Sequence, residues 1–190
     1  MVIASIRWRR LDAPGDDSCR LLRHATGWEL AGRAFFLQTA LPARLAYRVT
    51  CDPRWRTRDG RVRGTVGARR VDLRIERSPG GVWKIESRVV RGLGGCLDLD
   101  LGFTPATNLL AIRRLNLSVG RAADAPAAWL DVPDGTLVRL PQRYARRTAT
   151  AYRYEAPTVG YAADLAVSAA GFVTRYPGLW TSLHGSEPVS

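Results

Sequence analysis

The chain has 190 residues, 46 % hydrophobic and 24 % charged, the size of one domain and the composition of a folded globular protein rather than a disordered one. No stretch reaches the roughly 18 consecutive apolar residues of a membrane span. The 29 Lys+Arg against 17 Asp+Glu leave a formal net charge of +12, which either attracts anions such as nucleic acid, phosphorylated head groups and acidic lipids, or is a solvated basic face.

The first ten residues, MVIASIRWRR, end their apolar run at Arg7, and the charges follow it. That is not a signal-peptide pattern, and the expected compartment is the cytoplasm. Strand signals are read from Trp28. Trp28–Leu37 (WELAGRAFFL) is apolar with Gly32 as a candidate bulge. In Arg44–Cys51, residues Leu45, Tyr47, Val49 and Cys51 alternate with Arg44, Arg48 and Thr50, the period of a half-buried strand. The stretch from Pro53 to Arg91 holds twelve basic residues against Asp59, Asp72, Glu76 and Glu86. Within it Val71, Leu73 and Ile75 alternate, SPGG at 78–81 turns the chain, and Val82–Val90 returns as the second strand of a hairpin. Leu97, Leu99 and Leu101 alternate with Asp98 and Asp100 in a further strand.

The period then changes. Thr104–Pro105 is a helix-start signal, and Ala106–Leu117 carries Leu109, Leu110, Ile112, Leu115 and Leu117 at helical spacing over a wide arc. A softer segment follows at Gly120–Ala128. Strands are expected again at Trp129–Val132, Thr136–Leu140, Arg147–Glu155, Tyr161–Ser168 and Phe172–Tyr176, with turns at Pro133–Gly135 and Ala170–Gly171. The order of many strands, one helix and many strands predicts a mainly β (α+β) single domain over 1–190 with its core at about 28–180. One long antiparallel sheet must curl over its apolar face, and wrapping a single central helix covers that face.

Asp98–Leu115 (DLDLGFTPATNLLAIRRL) resembles the central signature of the Putative glycolipid-binding family of bacterial proteins. Tyr47–Asp52 (YRVTCD) leading to Trp55–Arg58, Tyr152–Glu155 (YRYE) and Gly171–Trp180 (GFVTRYPGLW) agree with it in order. The resemblance implies a spiral β-roll, a homodimer and a glycolipid ligand.

Among individual residues, Asp98 and Asp100 share one face and either hold a divalent ion or pair with arginines. Arg113 and Arg114 either clamp a phosphate or sulfate or bridge to those aspartates. Asn108 meets a sugar hydroxyl or a strand backbone. Trp55, Arg56 and Arg58 suit a sugar ring or a charged head group, or else protect a sheet edge. Tyr154, Tyr176 and Trp180 pack the closing strands or touch a ligand. Cys19, Cys51 and Cys96 form no disulfide framework, Cys51 and Cys96 being placed in apolar strands, and with His24 and His184 they make no metal site. No cofactor motif, GxSxG, P-loop or HExxH occurs. Hydrolysis would require His24 or His184 to meet a carboxylate. The expectation is therefore a non-enzymatic binding protein that holds a lipid or glycolipid in an enclosed, mostly apolar cavity, with arginines at the head group. The alternatives are a basic β module for nucleic acid or nucleotides, with arginines and exposed aromatics on one face, and a structural dimer without a ligand.

Overall fold

The computed structural model describes residues 1–132 and 134–183. The chain runs β1 (Val2–Arg10), β2 (Gly15–His24), β3 (Gly27–Gln38), β4 (Leu41–Cys51), β5 (Thr57–Val66), β6 (Arg69–Arg77), β7 (Trp83–Ile85), β8 (Arg88–Val90) and β9 (Asp98–Leu101). After the helix α1 (Asn108–Leu115) come β10 (Ala122–Asp124), β11 (Ala127–Asp131), β12 (Thr136–Leu140), β13 (Arg143–Arg146), β14 (Ala151–Ala156), β15 (Tyr161–Val167), β16 (Val173–Tyr176) and β17 (Trp180–Ser182).

Fourteen strands make one antiparallel sheet in the order β10-β13-β14-β15-β16-β17-β1-β2-β3-β4-β5-β6-β7-β8. It stays open, and the pairing of β17 with β1 joins the C-terminal strands to the N-terminal ones. This is the long sheet rolled around one helix that the strand–helix–strand order predicts. The period-two pattern also puts the expected residues inside: Leu45, Tyr47, Val49 and Cys51 are all buried. The alternating Val71–Ile75 stretch lies on β6, which pairs with β5 on one side and, across the SPGG turn, with β7 on the other.

Several expectations are corrected. The first 27 residues belong to the roll: β1 and β2 lie mid-sheet, and Trp8 is fully buried with its indole N–H on the Val173 carbonyl at 2.6 Å. Gly32 is no bulge; it pairs in register with Cys19 and Tyr47, under the Tyr47 ring. Val82–Val90 is two strands, because Glu86 and Ser87 take positive φ and form a second tight turn. Cys96 lies in a loop, where its carbonyl accepts from Arg77 Nε and Trp83 Nε1, both at 3.1 Å. Arg147–Thr150 is a turn between β13 and β14 rather than strand. Pro133, the first residue of the expected 133–135 turn, lies outside the described residues, as does His184; Asp134 and Gly135 do turn.

The sheet is also not alone. β9, β11 and β12 form a separate three-stranded sheet in which β9 and β11 run parallel. Its β12 keeps Thr136, Val138 and Arg139 exposed, but β9 is enclosed on both faces: Asp98, Leu99 and Leu101 are all buried. Asp98 and Asp100 thus do not form a solvated polar face, because alternation tells one face from the other but not which is wet.

The helix is shorter than its hydrophobic period. Thr104 Oγ1 accepts from the Ala106 N–H at 3.0 Å and donates to the Asp17 carboxylate, which ties the segment into a turn before the helix begins at Asn108. Asn116, in the left-handed region (φ 42, ψ 47), ends it with its N–H on the Ile112 carbonyl. Leu109, Leu110, Ala111 and Ile112 are buried against the surrounding strands.

Candidate functional site

The turn and first residues of α1, β9, and the inner faces of β14–β17 enclose a cavity of about 300 Å³. Asp100, Asn108, Tyr154 and Trp180, four of the residues nominated from sequence, line it together. Tyr154, Tyr161 and Tyr176 form a ring cluster with centroids 5.2–6.1 Å apart. Trp129 from β11 closes the other side. A Cβ on Gly102 would lie 2.3 Å from the Trp129 Nε1, so the missing side chain is what lets the indole lie on the backbone there. The Trp129 ring pairs with no other ring and its N–H meets no protein acceptor among the described residues.

Asp100 is the charged group of this cavity. Its Oδ2 accepts from Gln142 Nε2 at 2.5 Å and its Oδ1 from the Thr107 hydroxyl at 3.2 Å. Burial pushes its carboxyl up to about 6, against the pull of those two donors. No cation bonds to it among the described residues. Gln142 also donates to the Tyr154 hydroxyl at 2.9 Å. Asn108 donates from Nδ2 to the Pro105 carbonyl at 3.3 Å, and its Oδ1 accepts from the Tyr144 hydroxyl at 2.8 Å. Its partners are thus its own turn and a side chain, not a strand backbone.

Beyond Gln142 and Tyr161 lies an open groove of about 520 Å³. Pro126, Pro141, Pro157 and Ala162 give it apolar walls, and Arg139 and Arg143 stand at its rim. Cavity and groove share Tyr161, while Gln142 lines the groove and bonds to two residues of the cavity. The expected enclosed apolar cavity with arginines at its mouth is therefore replaced by two smaller spaces. Among the described residues no arginine lines the aromatic cavity, and the apolar space is open. The reason is that β9, β11 and α1 already fill the interior of the roll.

The other nominated residues go elsewhere. Arg114 forms a buried bidentate pair with Asp98, Nε at 2.9 Å and Nη2 at 2.6 Å, fixing the helix to β9. Burial lowers the Arg114 pKa, but its hydrogen bonds to Asp98 outweigh that and the net shift is upward. Arg113, its neighbour, turns away and lies over the Trp55 ring at 5.3 Å. Trp55 is buried, while Arg56 and Arg58 are exposed. Sequence reasoning missed Trp129, Gln142 and Gly102 because the second sheet brings them to the cavity, and Tyr161 because its ring partners, Tyr154 and Tyr176, come from neighbouring strands of the large sheet; no local pattern announces either arrangement. Among the described residues no cluster of His, Cys, Asp and Glu could hold a metal ion. His24 does meet a carboxylate, with Nε2 3.3 Å from Glu29 Oε2. Arg48 contacts that same oxygen at 2.8 Å, and no hydroxyl or thiol bonds to the imidazole among the described residues.

The outer face of β1–β6 has its own pattern. Cross-strand rows bring Arg20, Arg48, Arg61 and Arg74 into one line, Arg7, Arg33 and Arg63 into a second, and Arg9, Arg44 and Arg70 into a third. Asp16 and Asp72 are the acids in those rows, and Phe35 sits among them with Arg44 over its ring at 5.3 Å.

A family model described as Putative glycolipid-binding matches residues 5–182. The crystal structure of a DUF1089 family protein from Pseudomonas aeruginosa is similar to this chain at 29 % identity and a TM-score of 0.75, covering 87 % of this chain and 91 % of that one. No curated protein matches it.

Proposed function

Because the chain belongs to the Putative glycolipid-binding family, we propose that it binds a glycolipid with the sugar in the aromatic cavity at the start of α1 and the acyl chain along the neighbouring apolar groove. One observation carries the reading: a carboxylate, an amide and five aromatic side chains (Trp129, Tyr154, Tyr161, Tyr176 and Trp180) line one small cavity. Sugars offer hydroxyl donors to a carboxylate and C–H faces to aromatic rings. Asp100, which meets no cation among the described residues, keeps lone pairs beyond those taken by Gln142 and Thr107 for such hydroxyls. The groove would hold alkyl carbon by burial, at about 0.8 kcal/mol per CH₂. The same reading takes the protein as a cytoplasmic homodimer that performs no reaction on its ligand; sedimentation of the purified chain tests the assembly.

The test is a tryptophan-fluorescence titration with monomeric octyl glucoside, against glucose and octanol alone. The glycoside should saturate and bind more tightly than either part. Asp100→Asn should weaken it about tenfold, the roughly 1.4 kcal/mol of a hydrogen bond to a charged group. Octanol binding as well as the glycoside, or Asp100→Asn binding like the wild type, would overturn the assignment. Mass spectrometry of an organic extract of the folded protein would then name the natural ligand.

The arginine rows on the outer face support a second reading, in which that face carries the phosphate backbone of a nucleic acid. It requires binding to DNA or RNA that weakens steeply with salt. Salt-independent binding, or none, removes it.

A further inference from the structure

The other end of α1 holds a second pocket, of about 340 Å³, which shares no lining residue with the aromatic cavity. Trp55, Arg113, Arg146, Tyr152 and Ser168 shape it. We propose that this pocket binds the oxyanion of a phosphate monoester.

Arg113 is built into position rather than left loose. The chain turns at Gly171 with φ +97, and a Cβ there would come within 2.9 Å of the Arg113 Cδ. The guanidinium lies over Trp55, whose other face stacks on Trp28 at 4.3 Å and 13°, and Arg23 caps Trp28 at 5.5 Å. Trp55 itself takes φ +66, a conformation that costs a non-glycine residue energy. Asp52 maintains it: Oδ1 accepts from the N–H groups of Arg54 and Arg56 at 2.8 and 2.9 Å, and the carbonyl accepts from Trp55 N–H at 2.9 Å. A strained tryptophan thus serves as the platform for one arginine.

That arginine makes no hydrogen bond within the protein among the described residues. Elsewhere Arg10, Arg48, Arg61, Arg63, Arg114 and Arg143 each meet a carboxylate. Among the described residues no acid lines this pocket. Arg146 adds a second positive charge, fixed by the carbonyls of Leu117, Thr148 and Ala149. The Ser168 hydroxyl oxygen accepts from Phe172 N–H at 3.2 Å, which leaves its own proton to donate. Both faces of Trp55 are covered and Arg146 lies over Tyr152, so a flat base has no open ring to stack on. What remains is a donor-rich pocket with two cations and, among the described residues, no acid, which matches a doubly charged oxyanion. Its volume exceeds that of one phosphate group, so the phosphate would carry an organic substituent, either a lipid or a soluble metabolite.

The probe is inorganic phosphate, titrated into the full ¹⁵N-labelled chain at constant ionic strength with chloride as the balancing anion. The Arg113 Nε–Hε and Trp55 indole resonances should shift saturably with phosphate. Arg113→Gln, an exposed position, should weaken that binding at least tenfold, while Arg88→Gln, exposed on β8 and outside both the pocket and the arginine rows, should leave it within twofold. Shifts that merely follow ionic strength, or equal weakening by both variants, would overturn the proposal. Flotation with phosphatidylcholine vesicles, with and without phosphatidic acid, separates the two sources. Recovery with phosphatidic acid that Arg113→Gln abolishes assigns a lipid phosphate. Phosphate binding without flotation assigns a soluble phosphorylated compound. Because the two sites share no lining residue, loss of this one leaves the octyl glucoside titration unaffected.

Discussion

Asp98 and Asp100 stand two residues apart on one strand, and the fold treats them in opposite ways. Asp98 is sealed against Arg114 by a bidentate pair at 2.6–2.9 Å. Asp100 is given an amide, a hydroxyl and a cavity, but no cation among the described residues. The first arrangement anchors the helix to the inner sheet. The second leaves a carboxylate with spare capacity beside aromatic rings, which is what recognition of a polar ligand needs. Burial alone therefore does not mark function: Asp98 is the more buried of the two, and the difference lies in whether the charge is already answered.

The isosteric pair of variants breaks this comparison most directly. Asp98→Asn leaves the Arg114 guanidinium buried without its counter-charge, and should cost about 3–5 kcal/mol of stability. Asp100→Asn removes a charge that no cation answers among the described residues and that burial already disfavours, so it should lower stability by no more than about 1 kcal/mol. Urea denaturation of the two proteins measures both. Equal losses would mean that Asp100 is as structural as its neighbour.

The pH dependence sharpens the same distinction, because Asp17 belongs with Asp100. It is buried, bonded by the Tyr47 hydroxyl at 3.0 Å and by Thr104, and pushed by burial up to about 7. Both carboxyls thus have folded values above the ordinary 3.8. Below pH 3.8 both are protonated whether folded or not, and they cost nothing. Between about 4 and 7 the unfolded chain loses these protons first, so stability falls as pH rises and levels off above 7. For Asp17 the difference amounts to as much as about 4 kcal/mol. Asp17→Asn should flatten this part of the stability curve; an unchanged slope would show that Asp17 ionises in the folded protein as it does in the unfolded one.

Gly102→Ala tests the cavity side of the comparison without touching a charge. The new Cβ falls 2.3 Å from the Trp129 indole nitrogen, so the ring must leave its place. Overpacking of this kind costs about 1–3 kcal/mol. Octyl glucoside binding should fall at least tenfold in a protein that still unfolds cooperatively. Undiminished binding would remove Trp129 from the site.

How much of this was legible in sequence follows from what alternation encodes. A period of two reports which side chains share a face, and it placed Leu45, Tyr47, Val49 and Cys51 correctly. It also put Asp98 and Asp100 together, yet they face different fates because the partner differs: Arg114 for one, Gln142 for the other. Gln142 lies 42 residues from Asp100 and is brought there by the second sheet. The parallel pairing of β9 with β11 leaves no local turn signal, so that layer was not readable, nor was the cavity beneath it. Arg113 and Arg114 show the same limit at closer range: adjacent in sequence, about 100° apart around a helix, they meet different partners, the Trp55 ring for one and the Asp98 carboxylate for the other. The strands before Trp28 went unread for a simpler reason. Their arginines interrupt the apolar run, and only the completed roll shows Ile6 and Trp8 inside with Arg7 and Arg9 outside.

The smallest effect belongs to Arg56 and Arg58, whose sequence neighbourhood with Trp55 suggested a head-group contact. Trp55 turns inward and the two arginines do not follow. Exposed charges that meet neither the aromatic cavity nor Arg114 should contribute little, since solvent and salt screen them. The double variant Arg56→Gln, Arg58→Gln should stay within about 0.5 kcal/mol of the wild type in urea. It should also bind octyl glucoside equally well, because neither side chain lines the cavity or the groove. A loss of affinity here would extend the sugar site across the molecule to β5, and would mean that Asp98 and Asp100 differ less than their contacts indicate.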